Sequence, residues 1–267
     1  MMSAELVLEA TCRMLGAWAF LSGAGWLVDA PQWAGGGPLG RDLHRLRRSR
    51  WTQWRPFDLL HDSRGLALLG GIQAALGLWL VLLPGQPLIA LVALGLIGAT
   101  QALRGANDGS DKVAMVVIAG GLLQAAGIAL DQPVLTFAGA LWIGGQLTLA
   151  YATAGIAKLR HAVWRNGTAI QGVLSSYMHG CGWAARVVRA NGPAKLLAWS
   201  VIVLEVLFPL ALLLPTSWLA VVLGLFLLFH LAIAAAMGLH TYPLAFAATY
   251  PATLVLGQWL RIRLGIG

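Results

Sequence analysis

Charged residues are scarce in this chain of 267 residues, where Asp, Glu, Lys and Arg together make up only 10%. A soluble globular domain carries about 25% charged residues. Hydrophobic residues make up 58% of the chain, and they are concentrated in runs that approach the roughly 20 residues needed to cross a bilayer. The composition therefore excludes an ordinary soluble domain and predicts an all-α integral membrane protein, with the lipid bilayer as its first partner.

Acidic residues are the scarcest charged class, because ten Asp and Glu stand against eighteen Lys and Arg, for a formal net charge of +8. In a membrane protein such an excess indicates basic loops beside anionic lipid. No basic run is paired with the signature of a nucleic-acid-binding fold. Nucleic acid is therefore not expected among the partners.

Cysteine is nearly absent. Cys12 and Cys181 allow at most one disulfide, and neither a CxxC pair nor a zinc spacing occurs. No cleavable signal peptide is expected, because Glu5, Glu9 and Arg13 interrupt the N-terminal stretch. We therefore expect the first apolar stretch to remain as a membrane helix.

Apolar stretches along the chain predict a bundle of about eight transmembrane helices in a single domain, 1–267. Pro243 and Pro251 interrupt the last of these stretches. A basic segment at 38–64 and a polar connection at 158–194 separate groups of apolar runs. The predicted helices cover 11–29, 65–83, 87–104, 113–130, 133–157, 195–214, 217–237 and 242–260.

The basic loops also predict an orientation. Seven arginines lie at 41–64, two cations flank the turn at 104–112, and six cations lie at 158–195. Eight alternating helices place these three regions on one side, which the positive-inside rule makes cytoplasmic. We therefore expect a multi-pass protein of the cell membrane (inner or plasma membrane). The segment 38–64 is either an amphipathic helix in the interface or a basic loop that only fixes topology.

Glu205 and His230 lie deep inside apolar runs. A lone carboxylate in hydrocarbon must be neutral or paired. Glu205 therefore either makes a helix-packing hydrogen bond or has a functional role, as part of a proton relay or as a group that orients a cation. His230 has the same two interpretations, as a packing residue or as a functional group. Both residues are candidate catalytic groups.

The stretch from Tyr151 to Gly167 ends an apolar run with a lysine at the membrane edge. On a helix Tyr151, Gly155 and Lys158 share one face. An ammonium held at the edge of hydrocarbon is a candidate functional group, although it could equally be a topology signal. Gln146 adds a hydrogen-bonding side chain to the same helix.

Asp111 opens an apolar run after Asn107-Asp-Gly-Ser110. Either Ser110 or Asp111 supplies the N-cap oxygen of the helix, or Asp111 lies at the mouth of an active site. Two sets of residues resemble metal ligands only weakly, so no metal is predicted. These sets are Asp58, His61 and Asp62, and His179 with Cys181.

Gln146 through Gly167 resemble the signature of the vitamin K-dependent γ-carboxylase-like (HTTM) membrane superfamily. In that signature an aromatic residue precedes Ala-Gly, then Lys-Leu, then a Trp and a Gly. Lys158 is the position that matches the family's lysine. Later stretches at 205–210, 229–231 and 242–251 resemble the family's Glu…Pro helix, its His helix and the aromatic segment after it. The resemblance touches most of the chain in order.

The resemblance implies a membrane enzyme of a minimal bacterial type without the family's large soluble domain. It implies that Lys158 is the base that deprotonates a reduced, vitamin K hydroquinone-like quinone. Oxygen (O2) then converts the quinone to an epoxide through a strong base, which takes a proton from a small or peptide substrate, and CO2 is added if the reaction is a carboxylation. The family's polar histidine before an earlier helix has no counterpart here, and Asp111 is the candidate substitute.

The candidate site therefore contains two groups of residues. The catalytic candidates are Lys158, His230, Glu205 and Asp111. The substrate-binding candidates are Tyr151, Gln146, Trp164 and Tyr242. Two other functions remain open, an accessory membrane protein for the maturation, export or immunity of a peptide toxin, and a proton-coupled transporter that uses Glu205 and His230 as a relay.

Overall fold

The computed structural model describes residues 3–33, 63–84, 86–104, 108–176, 180–189 and 191–266. Within these ranges the regular structure is helical and no strand occurs. The α-helices are α1 (Ala4–Asp29), α2 (Ser63–Leu82), α3 (Pro87–Arg104), α4 (Gly109–Ala129), α5 (Pro133–Arg160), α6 (Ala162–Arg165), α7 (Thr168–Leu174), α8 (Gly182–Val187), α9 (Asn191–Ala211), α10 (Thr216–Met237), α11 (Tyr242–Ala247) and α12 (Tyr250–Leu264).

Among the described helices, α2, α4, α5, α9 and α10 are long and apolar enough to cross a bilayer. The protein is therefore an all-α, multi-pass membrane protein. These five spans are fewer than the eight expected. α3 is apolar but shorter, and the last predicted stretch, 242–260, forms two separate helices. Proline explains that break, since Pro243 and Pro251 each lie in the first turn of a helix, where a missing N–H leaves no intrahelical bond unmade.

α1 begins at Ala4, seven residues before the predicted start at 11. Its N-cap is Ser3, whose hydroxyl accepts a hydrogen bond from the Leu6 N–H at 3.2 Å. Glu9 and Arg13 form an i,i+4 ion pair at 2.6 Å. The charges that interrupt the apolar pattern are therefore compatible with the helix because they lie on its surface and pair along it.

The chain divides into two compact units, residues up to Gly139 and residues from Ala140 onward. α5 starts in the first unit and continues into the second. The first unit contains α1 to α4, and the second contains α6 to α12.

Close backbone contact joins α1 and α2 in the first unit. A Cβ atom on Gly77 would lie 2.5 Å from the Phe20 nitrogen and 2.6 Å from the Gly16 carbonyl oxygen. Gly23 and Gly70 meet in the same way, two turns along. Glycine is required at these positions because any side chain would push the two helices apart.

In the second unit, aromatic and aliphatic side chains from α5, α9, α10 and α12 form the core. Tyr151, Phe208 and Phe226 are buried at its centre. Their rings meet edge to face or tilted, with Tyr151 4.7 Å from Phe208 and 4.4 Å from Phe226 between ring centroids. This core packs against the face of α5 that carries Tyr151.

Some predictions fall on residues outside the described ranges. The basic segment 38–64 does so apart from residues 63 and 64, which begin α2. The possible metal ligands Asp58, His61 and Asp62 do so as well, and so does His179.

Candidate functional site

A buried ion pair joins α5 to α9. Lys158 Nζ lies 2.7 Å from Oε1 and 2.5 Å from Oε2 of Glu205. The two side chains are 18% and 7% exposed. Lys158 belongs to the last turn of α5, which ends at Arg160, three residues after the predicted end at 157. The lysine is therefore held on a helix. Charge-assisted hydrogen bonds as short as the two between Lys158 and Glu205 are strong.

Gly155 allows α9 to approach α5 at this point. A Cβ atom there would lie 2.7 Å from the Val206 nitrogen and 2.9 Å from the Glu205 Cβ. Gly155 precedes Lys158 by three residues on the same face. Pro209 lies inside α9, and because proline has no N–H, the carbonyl of Glu205 loses its usual i+4 donor. The sequence thus brings the two backbones together where the ion pair forms.

An aromatic side chain covers the ammonium from the side of the polar connection. The ring centroid of Trp164, on α6, lies 5.2 Å from Lys158 Nζ, within the range of a cation–π contact. Trp199 of α9 fixes this short helix by donating its indole N–H to the Arg165 carbonyl at 3.1 Å. Lys158 is therefore enclosed by a carboxylate and an indole face.

A second polar pair lies deeper on α5. The Tyr151 hydroxyl and His230 Nε2 are 2.9 Å apart, and both residues are buried. Either the phenol donates to a neutral imidazole, or Nε2–H donates to the phenol oxygen, depending on the tautomer. In both cases Nδ1 of His230 is buried without a hydrogen-bond partner among the described residues.

Flat rings surround the imidazole of His230. Phe246 of α11 stacks on it, with ring centroids 3.8 Å apart and an interplanar angle of 22°. Tyr242 lies 6.4 Å from the imidazole and 6.0 Å from Phe246, centroid to centroid. The site near Tyr151 is therefore lined by aromatic faces, and Nδ1 of His230 is a buried polar atom in it that has no partner among the described residues.

The two polar pairs lie on one side of α5, seven residues apart. At 1.5 Å per residue this is about 10 Å along the helix axis. Phe208 bridges the interval, since it follows Glu205 by three residues on α9 and packs against the ring of Tyr151. Glu205 and His230 thus have different partners, which are Lys158 and Tyr151.

The structure therefore brings most of the predicted site residues of the second unit together. Lys158, Glu205 and Trp164 form one group, and Tyr151, His230 and Tyr242 form the other. Gln146 is half-buried on α5. It precedes Tyr151 by five residues and so points about 140° away from it around the helix.

Asp111 lies in the first unit and has a structural contact of its own. Asp108, and neither Ser110 nor Asp111, is the N-cap of α4, so that prediction was wrong. The carboxylate of Asp108 accepts a hydrogen bond from the Asp111 N–H at 3.0 Å, and the carboxylate of Asp111 accepts one from the Asp108 N–H at 3.3 Å. This reciprocal capping box forms because Asp108 is extended and stands three residues before another acid.

Phe246, Phe208 and Trp199 contribute to the two groups and were not predicted individually. Phe246 does lie in the 242–251 stretch that carries part of the family resemblance. Phe208 likewise lies in the 205–210 stretch of that resemblance. Trp199 lies in none of these stretches, and its role depends on a contact with Arg165, 34 residues earlier in the chain.

Within the described ranges no group of three or more His, Cys, Asp or Glu residues could hold a metal ion. Comparisons with protein-family models, with curated proteins and with solved structures gave no match for this chain. A lysine and a glutamate in direct contact can exchange a proton, and a histidine paired with a tyrosine can orient a polar ligand.

Proposed function

We propose that this protein is a membrane enzyme of the vitamin K-dependent γ-carboxylase-like (HTTM) type, which oxidises a reduced quinone with O2. Lys158 is the base that starts the reaction. A bound reduced quinone and O2 supply the epoxide-forming oxidation and the strong base that acts on a small or peptide substrate. CO2 is a further substrate if that substrate is carboxylated.

The ion pair between Lys158 and Glu205 is the observation that carries this proposal. A lysine acts as a base only when its amine is neutral. In a site of low dielectric constant a charged pair is costly to hold, so transfer of one proton from the ammonium to the carboxylate gives a neutral amine beside a carboxylic acid. Glu205 can thus store the proton at Oε1 or Oε2 while Nζ of Lys158 receives the next one from the reduced quinone.

The second group of residues offers contacts that a quinone ring can use. Phe246 and Tyr242 offer flat aromatic faces, and flat rings prefer to stack on such faces. His230 offers Nδ1, a buried polar atom without a partner among the described residues. A ring oxygen would satisfy it, and leaving such an atom unsatisfied is costly. Tyr151 holds the imidazole through Nε2 and so orients Nδ1.

We propose that further helices lie in the membrane besides the five spans. α1, α3 and the 242–264 stretch would bring the number of membrane helices to about eight. Large apolar side chains such as Val28 on α1 and Leu88 on α3 are exposed, as lipid contact requires. We place the protein in the cell (inner or plasma) membrane, where a lipid-soluble quinone can enter between helices from the side.

Two other functions compete with this proposal. A proton-coupled transporter would use Glu205 and His230 as consecutive members of a relay, yet each is bonded to a different side chain on α5. An accessory protein for a peptide toxin needs no base in a closed site. The arrangement around Lys158 therefore favours the enzyme.

The direct test uses the purified full-length protein in detergent or nanodiscs with a reduced naphthoquinone and O2. We expect formation of the epoxide or another oxidised product, and Lys158→Ala should abolish it. Lys195→Ala is the matched control, because Lys195 is an exposed lysine on α9. Product formation by Lys158→Ala at the rate of the control would refute the assignment of the base.

A further inference from the structure

The polar connection after α5 has a surface with one sign of charge. The chain contains no Asp or Glu between Asp131 and Glu205. Besides Lys158, this interval contains five cations, and all five are exposed: Arg160, Arg165, Arg186, Arg189 and Lys195. None of the five forms an ion pair within the part of the chain that the structure describes. No acidic side chain among the described residues therefore compensates the positive charge on this surface.

These cations are carried by a folded structure, which we call the basic cap and define as the described residues from Arg160, at the end of α5, to Lys195, near the start of α9. Gln171 of α7 donates its Nε2–H to the Val188 carbonyl after α8 at 3.0 Å. Gly167 turns the chain before α7 with φ of 88°, directly against the backbone of Lys195. A buried apolar cluster joins the cap to α9: Ile170, Leu174, Ala184, Val188, Ala194 and Ala198.

The outer face of α8 is both apolar and basic. Trp183, Arg186 and Val187 lie at i, i+3 and i+4 and so share this face. Trp183 is 52% exposed and Val187 is 58% exposed, while Ala184 is buried on the opposite side. The Arg186 Nε–H donates to the Gly182 carbonyl at 3.1 Å, which holds the guanidinium along the helix.

The position of the cap relative to α10 indicates its level in the bilayer. Ala236 and Met237, the last residues of α10, pack against the buried cluster of the cap. α10 is the most apolar of the five spanning helices, so its end marks the region where hydrocarbon gives way to headgroups. Tryptophan and arginine are enriched at this level, where rings reach the acyl boundary and cations reach phosphates.

We propose that the basic cap is a binding surface for anionic phospholipid in the leaflet beside it. Trp183 and Val187 insert at the boundary between headgroups and acyl chains, and the five cations contact lipid phosphates. A soluble anion would satisfy the cations but would leave the exposed face of Trp183 and Val187 without a function. The combination of charge and apolar surface on α8 therefore selects a lipid.

The test compares phosphatidylglycerol with phosphatidylcholine. The purified full-length protein is mixed with both lipids in equal amounts in a neutral detergent, and the bound lipids are counted by native mass spectrometry. We expect a preference for phosphatidylglycerol that falls as NaCl is raised, because ions screen the attraction. Arg186→Gln with Arg189→Gln should lower the preference by about 25-fold, or about fivefold for each cation removed.

Two further variants make this result specific. Arg165→Gln with Lys195→Gln removes two other cap cations and should give a similar loss. Lys112→Gln with Arg263→Gln removes the same charge from exposed positions outside the cap and should keep the preference. Circular dichroism of each variant checks that the helices are intact, and all four substituted cap side chains are exposed.

Three outcomes would overturn the proposal. The first is an equal preference in the wild type and both cap variants. The second is an equal loss in the variant with Lys112 and Arg263 replaced, which would show a response to net charge alone. The third is binding of soluble polyglutamate with no discrimination between the lipids, which would assign the surface to an acidic peptide.

Discussion

Lys158 and Glu205 are 47 residues apart in sequence, and their side chains meet at 2.5 to 2.7 Å between the last turn of α5 and the middle of α9. The contact occurs where Gly155 brings the two helix backbones together. Without this contact, each side chain would be an unpaired charge beside apolar residues. Their pairing makes both charges tolerable, and it supplies a site at which one proton can move.

Removing one partner of this pair should destabilise the protein. Glu205→Leu leaves the ammonium of Lys158 without its carboxylate, and we expect the free energy of unfolding to fall by about 3 kcal/mol. Lys158→Met combined with Glu205→Leu should recover most of that loss, since an apolar pair of similar volume needs no desolvation. Reversible unfolding in mixed micelles measures both. A double variant as unstable as the single one would contradict the account.

The contact at Gly155 should be sensitive to a single methyl group. Gly155→Ala places a Cβ atom 2.7 Å from the Val206 nitrogen, so α9 must shift, at a cost of about 1–3 kcal/mol. Gly145 is the control on the same helix, because nothing lies within 4 Å of its Cβ position. Gly145→Ala should be neutral or stabilise the helix by up to about 1 kcal/mol. Equal effects of the two substitutions would exclude close packing at Gly155.

The hydrogen bond between Tyr151 and His230 should contribute to stability separately from the aromatic packing. Tyr151→Phe keeps the ring against Phe208 but leaves Nε2 of His230 unpaired, with an expected loss of about 1–3 kcal/mol. Thr153→Ala, at an exposed position two residues along α5, should change stability by less than about 0.5 kcal/mol. Thermal unfolding monitored by circular dichroism compares the stabilities of the Tyr151→Phe and Thr153→Ala variants. A Tyr151→Phe variant as stable as Thr153→Ala would show that the hydroxyl contributes nothing.

The first unit offers a matching test of helix packing. Gly77→Ala should weaken the contact between α1 and α2 by about 1–3 kcal/mol, because the new methyl meets the backbone of Gly16 and Phe20. Gly71 lies on the same helix with open space around its Cβ position. Gly71→Ala should therefore be tolerated, and unfolding in mixed micelles compares the two variants. Tolerance of both substitutions would mean that α1 and α2 are farther apart than described.

Helix positions followed from the sequence because apolar runs and proline turns mark them directly. The starts of α1 and α4 could not be predicted from the apolar runs, since each start depends on a capping side chain. For α4 the sequence offered Ser110 and Asp111 as N-cap candidates, but the N-cap is Asp108, which is identified by its extended backbone conformation. Pro243 and Pro251 mark the starts of the two helices at 242–264. The apolar pattern alone predicted one membrane span over this stretch.

The site followed from the sequence only in part. Lys158, Glu205 and His230 could be singled out because a polar group inside an apolar run is unusual. Their partners could not be assigned from the sequence, because the paired residues are far apart in the chain. Glu205 lies 47 residues from Lys158, and His230 lies 79 residues from Tyr151. Gln146 was predicted to bind substrate because of its chemistry, and its angle around α5 directs it away from Tyr151.

Lys158→Arg gives the most direct measurement of the central claim, that Lys158 is a base as well as half of an ion pair. Arginine can hold the carboxylate of Glu205 with two hydrogen bonds, but it does not deprotonate in proteins. We predict that this variant unfolds at nearly the wild-type midpoint and forms no epoxide or other oxidised product from a reduced naphthoquinone and O2. Turnover by Lys158→Arg at the wild-type rate would contradict the account and would leave the ion pair with a structural role only.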